Sequence, residues 1–227
     1  ASVAPTPVSA LLHAVAVVKS GVFAILRLIY YGFGADFLRG TFAQSIVMIF
    51  TIVTIVYGSA KALQMSHFKR RLAYSTVSNL SYILFSFTLM TPAGMTGGLI
   101  HMVFHALIKI TLFFCAGAVL YKTEKEYVYE LEGFGKAMPI TFAAFTVAAF
   151  APSGVPPLGG FAGKWCIASA AAEVGTPLSY VGIGALILST LLTTLYMMTI
   201  VIRAYFPMGE DRDLTAVRDP NGNMTGP

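Results

Sequence analysis

Charge is what this sequence lacks most. Only 11% of its 227 residues are Asp, Glu, Lys or Arg, less than half of the roughly 25% found in soluble globular domains. That deficit excludes an ordinary water-soluble enzyme domain, a disordered tail and a coiled coil. Cysteine is nearly missing as well: Cys115 and Cys166 stand alone, form no C-x-x-C pair and exclude a disulfide scaffold. No cysteine cluster and no G-x-G-x-x-G after a strand pattern are present, so no iron–sulfur, flavin or nicotinamide cofactor is expected. A charged N-terminal region followed by a short apolar stretch and a cleavage site is also missing, so no signal peptide is expected. The net charge of +5 does not indicate nucleic acid, because the basic residues sit singly between apolar runs.

What the chain has in abundance is apolar length, with 56% hydrophobic residues and a mean hydropathy of +0.75. A helix crossing about 30 Å of hydrocarbon needs about 20 mostly apolar residues. Six stretches qualify, at about 6–30, 42–60, 72–90, 97–121, 139–174 and 178–205. The fifth is too long for one straight crossing. The expectation is an all-α integral membrane protein with six transmembrane helices, the fifth broken. Residues 1–205 form its transmembrane domain and 206–227 a polar cytoplasmic tail or linker. The opening inside a helix start and the polar ending suggest a piece of a longer protein.

Orientation follows from Lys and Arg in the short loops. One side receives Lys61, Lys69, Arg70, Arg71, Lys122, Lys125 and Lys136, then Arg212 and Arg218, while the other receives little beyond Arg39. Both chain ends are therefore expected in the cytoplasm, with the loops near Ala35, Ala93 and Gly175 outside. A bacterial or archaeal plasma membrane is the expected location.

Three lysines remain once the loop charges are removed: Lys19, Lys109 and Lys164. Each lies near the middle of a span, where a lysine costs at least about 2.5–3.5 kcal/mol. A structural lysine that caps a carbonyl or pairs with a carboxylate is the plainer reading. It fits one such residue better than three, because the span interiors hold no Asp or Glu. His101, His105 and Lys109 follow at i, i+4 and i+8, which stacks them on one helix face. Imidazole accepts a proton on one nitrogen and releases one from the other, so this face suits a proton wire. A metal site is the rival for a His pair, but no third ligand is near and no metal is expected. The run from Pro152 to Lys164 carries three prolines and four glycines, and a continuous helix is improbable there. Broken helices at membrane depth mark ion and substrate sites, and Lys164 lies just beyond the break.

Several segments resemble one family. They are Ala-Pro-Thr-Pro-Val-Ser-Ala-Leu-Leu-His at 4–13, Lys-Arg-Arg-Leu-Ala-Tyr-Ser-Thr-Val-Ser-Asn-Leu at 69–80, and His-Met-Val-Phe-His-Ala-Leu-Ile-Lys at 101–109. Gly-Lys-Ala-Met-Pro at 135–139 and Gly-Val-Pro-Pro-Leu-Gly-Gly-Phe-Ala-Gly-Lys-Trp at 154–165 complete the set. They are similar to the antiporter-like subunits shared by respiratory complex I, Mrp-type cation/proton antiporters and membrane-bound hydrogenases. The resemblance implies a fourteen-helix subunit of two inverted five-helix repeats, with the six spans as its eighth to thirteenth helices. It implies proton-transfer roles for Lys19, bridging the two halves, for His101, His105 and Lys109, for Lys164 of the broken helix, and for His13 of the opening motif. The glutamate and lysine of the family's first half-channel would precede Ala1.

The expected function is proton translocation through a buried Lys/His relay, as a non-redox subunit of a larger ion-translocating oxidoreductase. The partners are other membrane subunits of a complex I-, Mrp- or hydrogenase-like assembly, the lipid bilayer, and protons, with no nucleic acid. Sodium/proton antiport in an Mrp-type complex is an alternative, disfavoured in these spans because they offer sodium no carboxylate. A structural membrane-arm subunit without transport is another. A quinone-reducing subunit has no candidate redox ligands here.

Overall fold

The computed structural model describes residues 16–206 and, beyond them, the short backbone segments 217–218 and 224–225. His13 and the rest of residues 1–15 lie outside the described residues. The chain enters as helix α1 (Val17–Arg27), passes through a π-helical stretch (Leu28–Gly34) and ends the first span in α2 (Ala35–Leu38). That span was expected to stop near residue 30. It runs on because wide π turns carry the chain past Gly32, and Gly34, at φ +88°, redirects it into one more helical turn.

Helix α3 (Phe42–Gln64) starts where the Thr41 side chain accepts a hydrogen bond from the Gln44 N–H. After α4 (Phe68–Thr88), helix α5 (Pro92–Thr123) begins with Pro92 in its first turn and Thr91 capping Gly94. A 3₁₀ turn (Val128–Glu130) and α6 (Phe134–Ala137) lead to α7 (Pro139–Phe150), α8 (Gly159–Val174) and α9 (Pro177–Tyr205), the last opened by a Thr176/Ser179 capping box. A two-residue antiparallel ladder pairs β1 (Val217–Arg218) with β2 (Met224–Thr225).

Among the described residues four helical spans are long and apolar enough to cross a membrane: Val17–Leu38, Phe42–Gln64, Pro92–Thr123 and Pro177–Tyr205. Their outward faces carry large apolar side chains, Phe50 at 68% exposure and Leu107 at 60% among them. Hydrocarbon is the solvent that suits such a surface. Helix α4 falls short of the apolar standard because Ser75, Thr76, Ser78, Asn79, Ser81 and Ser86 interrupt it, yet all six are buried. It packs against α1, α3, α5, α8 and α9. These side chains bond partly within the helix, as Thr76 does to the Leu72 carbonyl, and partly across it, as Ser86 does to the Gly94 carbonyl.

The fifth stretch is two helices. Residues 151–158 are non-helical between α7 and α8, so the break falls at the start of the Pro/Gly run from Pro152 to Lys164. Helix resumes at Gly159 because Gly160 lies directly against the Ala151 carbonyl, where any Cβ would collide. At the polar end, the segment after α3 pairs with the one after α5. Phe68 N–H donates to the Glu126 carbonyl at 2.8 Å and Val128 N–H to the Ser66 carbonyl at 2.9 Å, with a His67–Glu126 ion pair at 3.3 Å beside them.

Candidate functional site

The i, i+4, i+8 face of α5 is turned wholly inward: His101 and His105 are 2% exposed and Lys109 is fully buried. Lys19 on α1 and Lys164 on α8 are buried as well. All three lysines and His101 are electrostatic neighbours of His105, so five groups from three helices share one interior region. The two imidazoles stack with ring centroids 6.1 Å apart.

Each group sits differently. Lys109 Nζ donates to the Leu72 carbonyl at 3.1 Å and to the Ser75 hydroxyl, both on α4. Lys164 Nζ donates to the Pro152 carbonyl at 2.6 Å and to Thr190 Oγ1 of α9 at 3.0 Å. The break explains the first of these bonds. Position 156, four residues after Pro152, is itself a proline and has no N–H to give. The Pro152 carbonyl is thus free for the lysine. The Lys164 ammonium also stands over the Tyr82 ring, 5.3 Å from its centroid. Lys19 Nζ, His101 Nδ1 and both ring nitrogens of His105 have no hydrogen-bond partner among the described residues. His101 Nε2 lies 3.3 Å from Asn79 Oδ1.

Among the described residues no carboxylate enters this region. The six carboxylates between positions 16 and 206, from Asp36 to Glu173, occupy loops and helix ends. Among the described residues no group of three or more His, Cys, Asp or Glu side chains is placed to hold a metal ion.

Sequence reasoning missed the neutral partners. Ser75, Ser78, Asn79 and Tyr82 fall at i, i+3, i+4 and i+7 on α4, and Ser189, Thr193 and Tyr196 at i, i+4 and i+7 on α9. Both stripes are buried, and they meet. Tyr82 OH donates to Ser189 Oγ at 2.5 Å, Ser78 and Ser189 hydroxyls lie 3.0 Å apart, and Tyr196 OH meets Thr193 Oγ1 at 3.1 Å. The stripes carry the helical period, but a hydroxyl on that period can bond its own helix as readily as a neighbour.

A lipid-fronted helical bundle that buries lysines and histidines among neutral oxygens is a multi-span membrane protein with an ionisable interior. More particularly, the chain belongs to the family NADH:quinone oxidoreductase/Mrp antiporter, TM, whose pattern matches residues 1–193. It is 32% identical over 206 residues to NADH-quinone oxidoreductase subunit N of Desulforudis audaxviator, covering 90% of this chain and 40% of that protein. It is 35% identical over 209 residues to NADH-quinone oxidoreductase subunit L of Mycobacterium tuberculosis, covering 92% of this chain and 32% of that one. A chain in the solved Mrp complex from Dietzia superposes with a TM-score of 0.80 at 26% identity, over 96% of this chain and 39% of that chain. The chain thus spans well under half the length of these relatives.

Proposed function

We propose that this chain carries protons across the membrane through Lys19, Lys109 and Lys164, with His101, His105 and His13 as relays. It does so as a non-redox subunit of a larger energy-converting complex of the complex I or Mrp kind. In this reading residues 1–205 make six crossings that correspond to the eighth to thirteenth helices of a fourteen-helix subunit. Helix α4 is the third crossing and the α7–α8 pair the fifth, with residues 206–227 a cytoplasmic tail. The observation that carries the proposal is the burial of three lysines, two of them held by carbonyl and hydroxyl oxygens alone. An ammonium held only by carbonyls and hydroxyls has no fixed counter-charge to keep it protonated. It can therefore release its proton when a like charge arrives nearby.

The test is proton uptake by vesicles holding the intact complex, with assembly assayed separately. Lys109→Ala and Lys164→Ala abolish or severely reduce uptake and leave assembly intact, because each removes a buried charge worth at least about 2.5–3.5 kcal/mol of insertion cost. Lys109→Arg and Lys164→Arg impair uptake too, since arginine keeps its proton at a pKa above about 12. Wild-type pumping by the arginine variants would make these lysines electrostatic scaffolding. Sodium/proton exchange is the second reading, favoured by the likeness to a chain of an Mrp complex. It is separated by the same assay: uptake that requires sodium on the opposite side selects it.

A further inference from the structure

Two facts about the site stand apart from the histidine relay. His105 makes no hydrogen bond among the described residues and His101 Nδ1 makes none, yet Lys109 and Lys164 each touch a hydroxyl. Those two hydroxyls, Ser75 and Thr190, lie on the two helices that carry the buried hydroxyl stripes. Two buried tyrosines stand between them, Tyr196 and Tyr82. Tyr196 OH is bonded to Thr193 Oγ1 at 3.1 Å and also interacts with the Ser75 side chain. Tyr82 OH interacts with the side chains of Thr193 and Thr190 as well as Ser189. All of these groups are buried except Thr190, which is half-buried.

We infer that Lys109 and Lys164 exchange a proton directly along a hydroxyl chain, Ser75, Tyr196, Thr193, Tyr82 and Thr190, that bypasses the histidines. The inference rests on the reading of the two lysines as proton carriers. The transfer balances without any outside reactant. The Lys109 ammonium loses one N–H and Ser75 gains that proton. Ser75 passes its own to Tyr196, Tyr196 to Thr193, Thr193 to Tyr82, Tyr82 to Thr190, and Thr190 to the neutral Lys164 amine. Each oxygen breaks one O–H bond and forms another, Lys109 ends as the amine, and Lys164 ends as the ammonium. Two links already point this way: Lys109 donates to Ser75, and the Tyr196 proton faces Thr193.

The other four must turn: Ser75 Oγ donates to the Leu72 carbonyl at 3.1 Å and Tyr82 OH to Ser189 Oγ at 2.5 Å. Thr193 Oγ1 donates to the Ser189 carbonyl at 2.7 Å and Thr190 Oγ1 to the Leu186 carbonyl at 2.7 Å. Rotation about a C–O bond re-aims each hydroxyl, and such protons rotate to suit their partners. The same rotations reset the chain after each passage. The histidines then serve the leg between Lys19 and Lys109, the two lysines whose charges act most strongly on His105.

The test compares variants of nearly equal shape in the intact complex, assayed for proton uptake in vesicles with assembly measured separately. Tyr196→Phe and Thr193→Val remove only a hydroxyl function, and each is expected to slow uptake by about a hundredfold, the scale of a lost proton-transfer group. Thr193→Ser restores the hydroxyl and is expected to pump as the wild type does. Wild-type uptake by both Tyr196→Phe and Thr193→Val overturns the hydroxyl chain. So does an equal loss in Thr193→Ser and Thr193→Val, which would assign the effect to packing. Lys109→Ala, assayed beside them, keeps the two readings apart. If it fails while the hydroxyl variants pump normally, the lysines carry protons by another route. If it pumps normally, the proton-carrier reading falls with the chain built on it.

Discussion

At the scale of single residues, the three buried lysines differ in what holds them. Lys109 and Lys164 each combine a backbone carbonyl with a hydroxyl, while Lys19 has no hydrogen-bond partner among the described residues. Close approach of α8 to α5 depends on a residue with no side chain. A Cβ at Gly163 would lie 2.7 Å from His101 Nδ1 and 2.8 Å from His101 Cα. The ring can rotate away, but the backbone cannot without moving a helix. Gly163→Ala is therefore expected to destabilise the protein by about 1–3 kcal/mol, the usual range for overpacking. It should also slow proton uptake by pushing Lys164 away from Thr190. Thermal unfolding in detergent, read beside the transport assay, checks both effects, and an unchanged midpoint would refute the tight contact.

At the scale of elements, α4 shows how a polar helix is accommodated inside an apolar bundle. Ser78 Oγ lies 2.7 Å from Ser59 Oγ, 3.0 Å from Ser189 Oγ and 3.0 Å from the Ile55 carbonyl, joining α3, α4 and α9 in one buried cluster. Removing one member strands the others, and a buried orphan costs about 1–3 kcal/mol. Ser78→Ala is expected to lose that much. Glu126→Gln, by contrast, removes an ion pair whose acidic partner is 49% exposed, and exposed pairs contribute about 0–1 kcal/mol. The neighbouring backbone bonds survive the substitution, so its unfolding midpoint should barely move. Equal losses in the two variants would mean that the loop pair, and not the hydroxyl cluster, holds these helices together.

For the whole molecule, three helices separate Asp36 from Lys122, which places the two on opposite faces of the bilayer if each helix crosses. Helix α5 alone has 32 residues, about 48 Å at 1.5 Å per residue, more than the hydrocarbon thickness. In the proposed orientation Lys122 is cytoplasmic, because the lysines and arginines of the short loops gather on its side. With Cys115 and Cys166 replaced by alanine, a cysteine at Asp36 should react with an impermeant thiol reagent only from outside. A cysteine at Lys122 should react only from the cytoplasmic face. Labelling of both from one side would overturn the six-crossing arrangement.

The line between what the chain shows and what its folding decides runs between local and non-local chemistry. Apolar run length and the 3.6-residue period are local, so membrane residence, the shared face of His101, His105 and Lys109, and the break before Lys164 were all legible in the sequence. The hydroxyl stripes were not read, for a physical reason. A Ser or Thr in an apolar helix can satisfy itself on the carbonyl four residues back. Thr111 does so with Leu107 on an outward face, and Thr193 does so with Ser189 in the core. Locally the two are indistinguishable. Only the packing of the helices against one another decides that Tyr82 meets Ser189, that Ser75 meets Lys109, and that the Pro152 carbonyl becomes the seat of Lys164. Those contacts join residues 12 to 107 positions apart, and no short-range pattern records which neutral oxygen a buried charge will find.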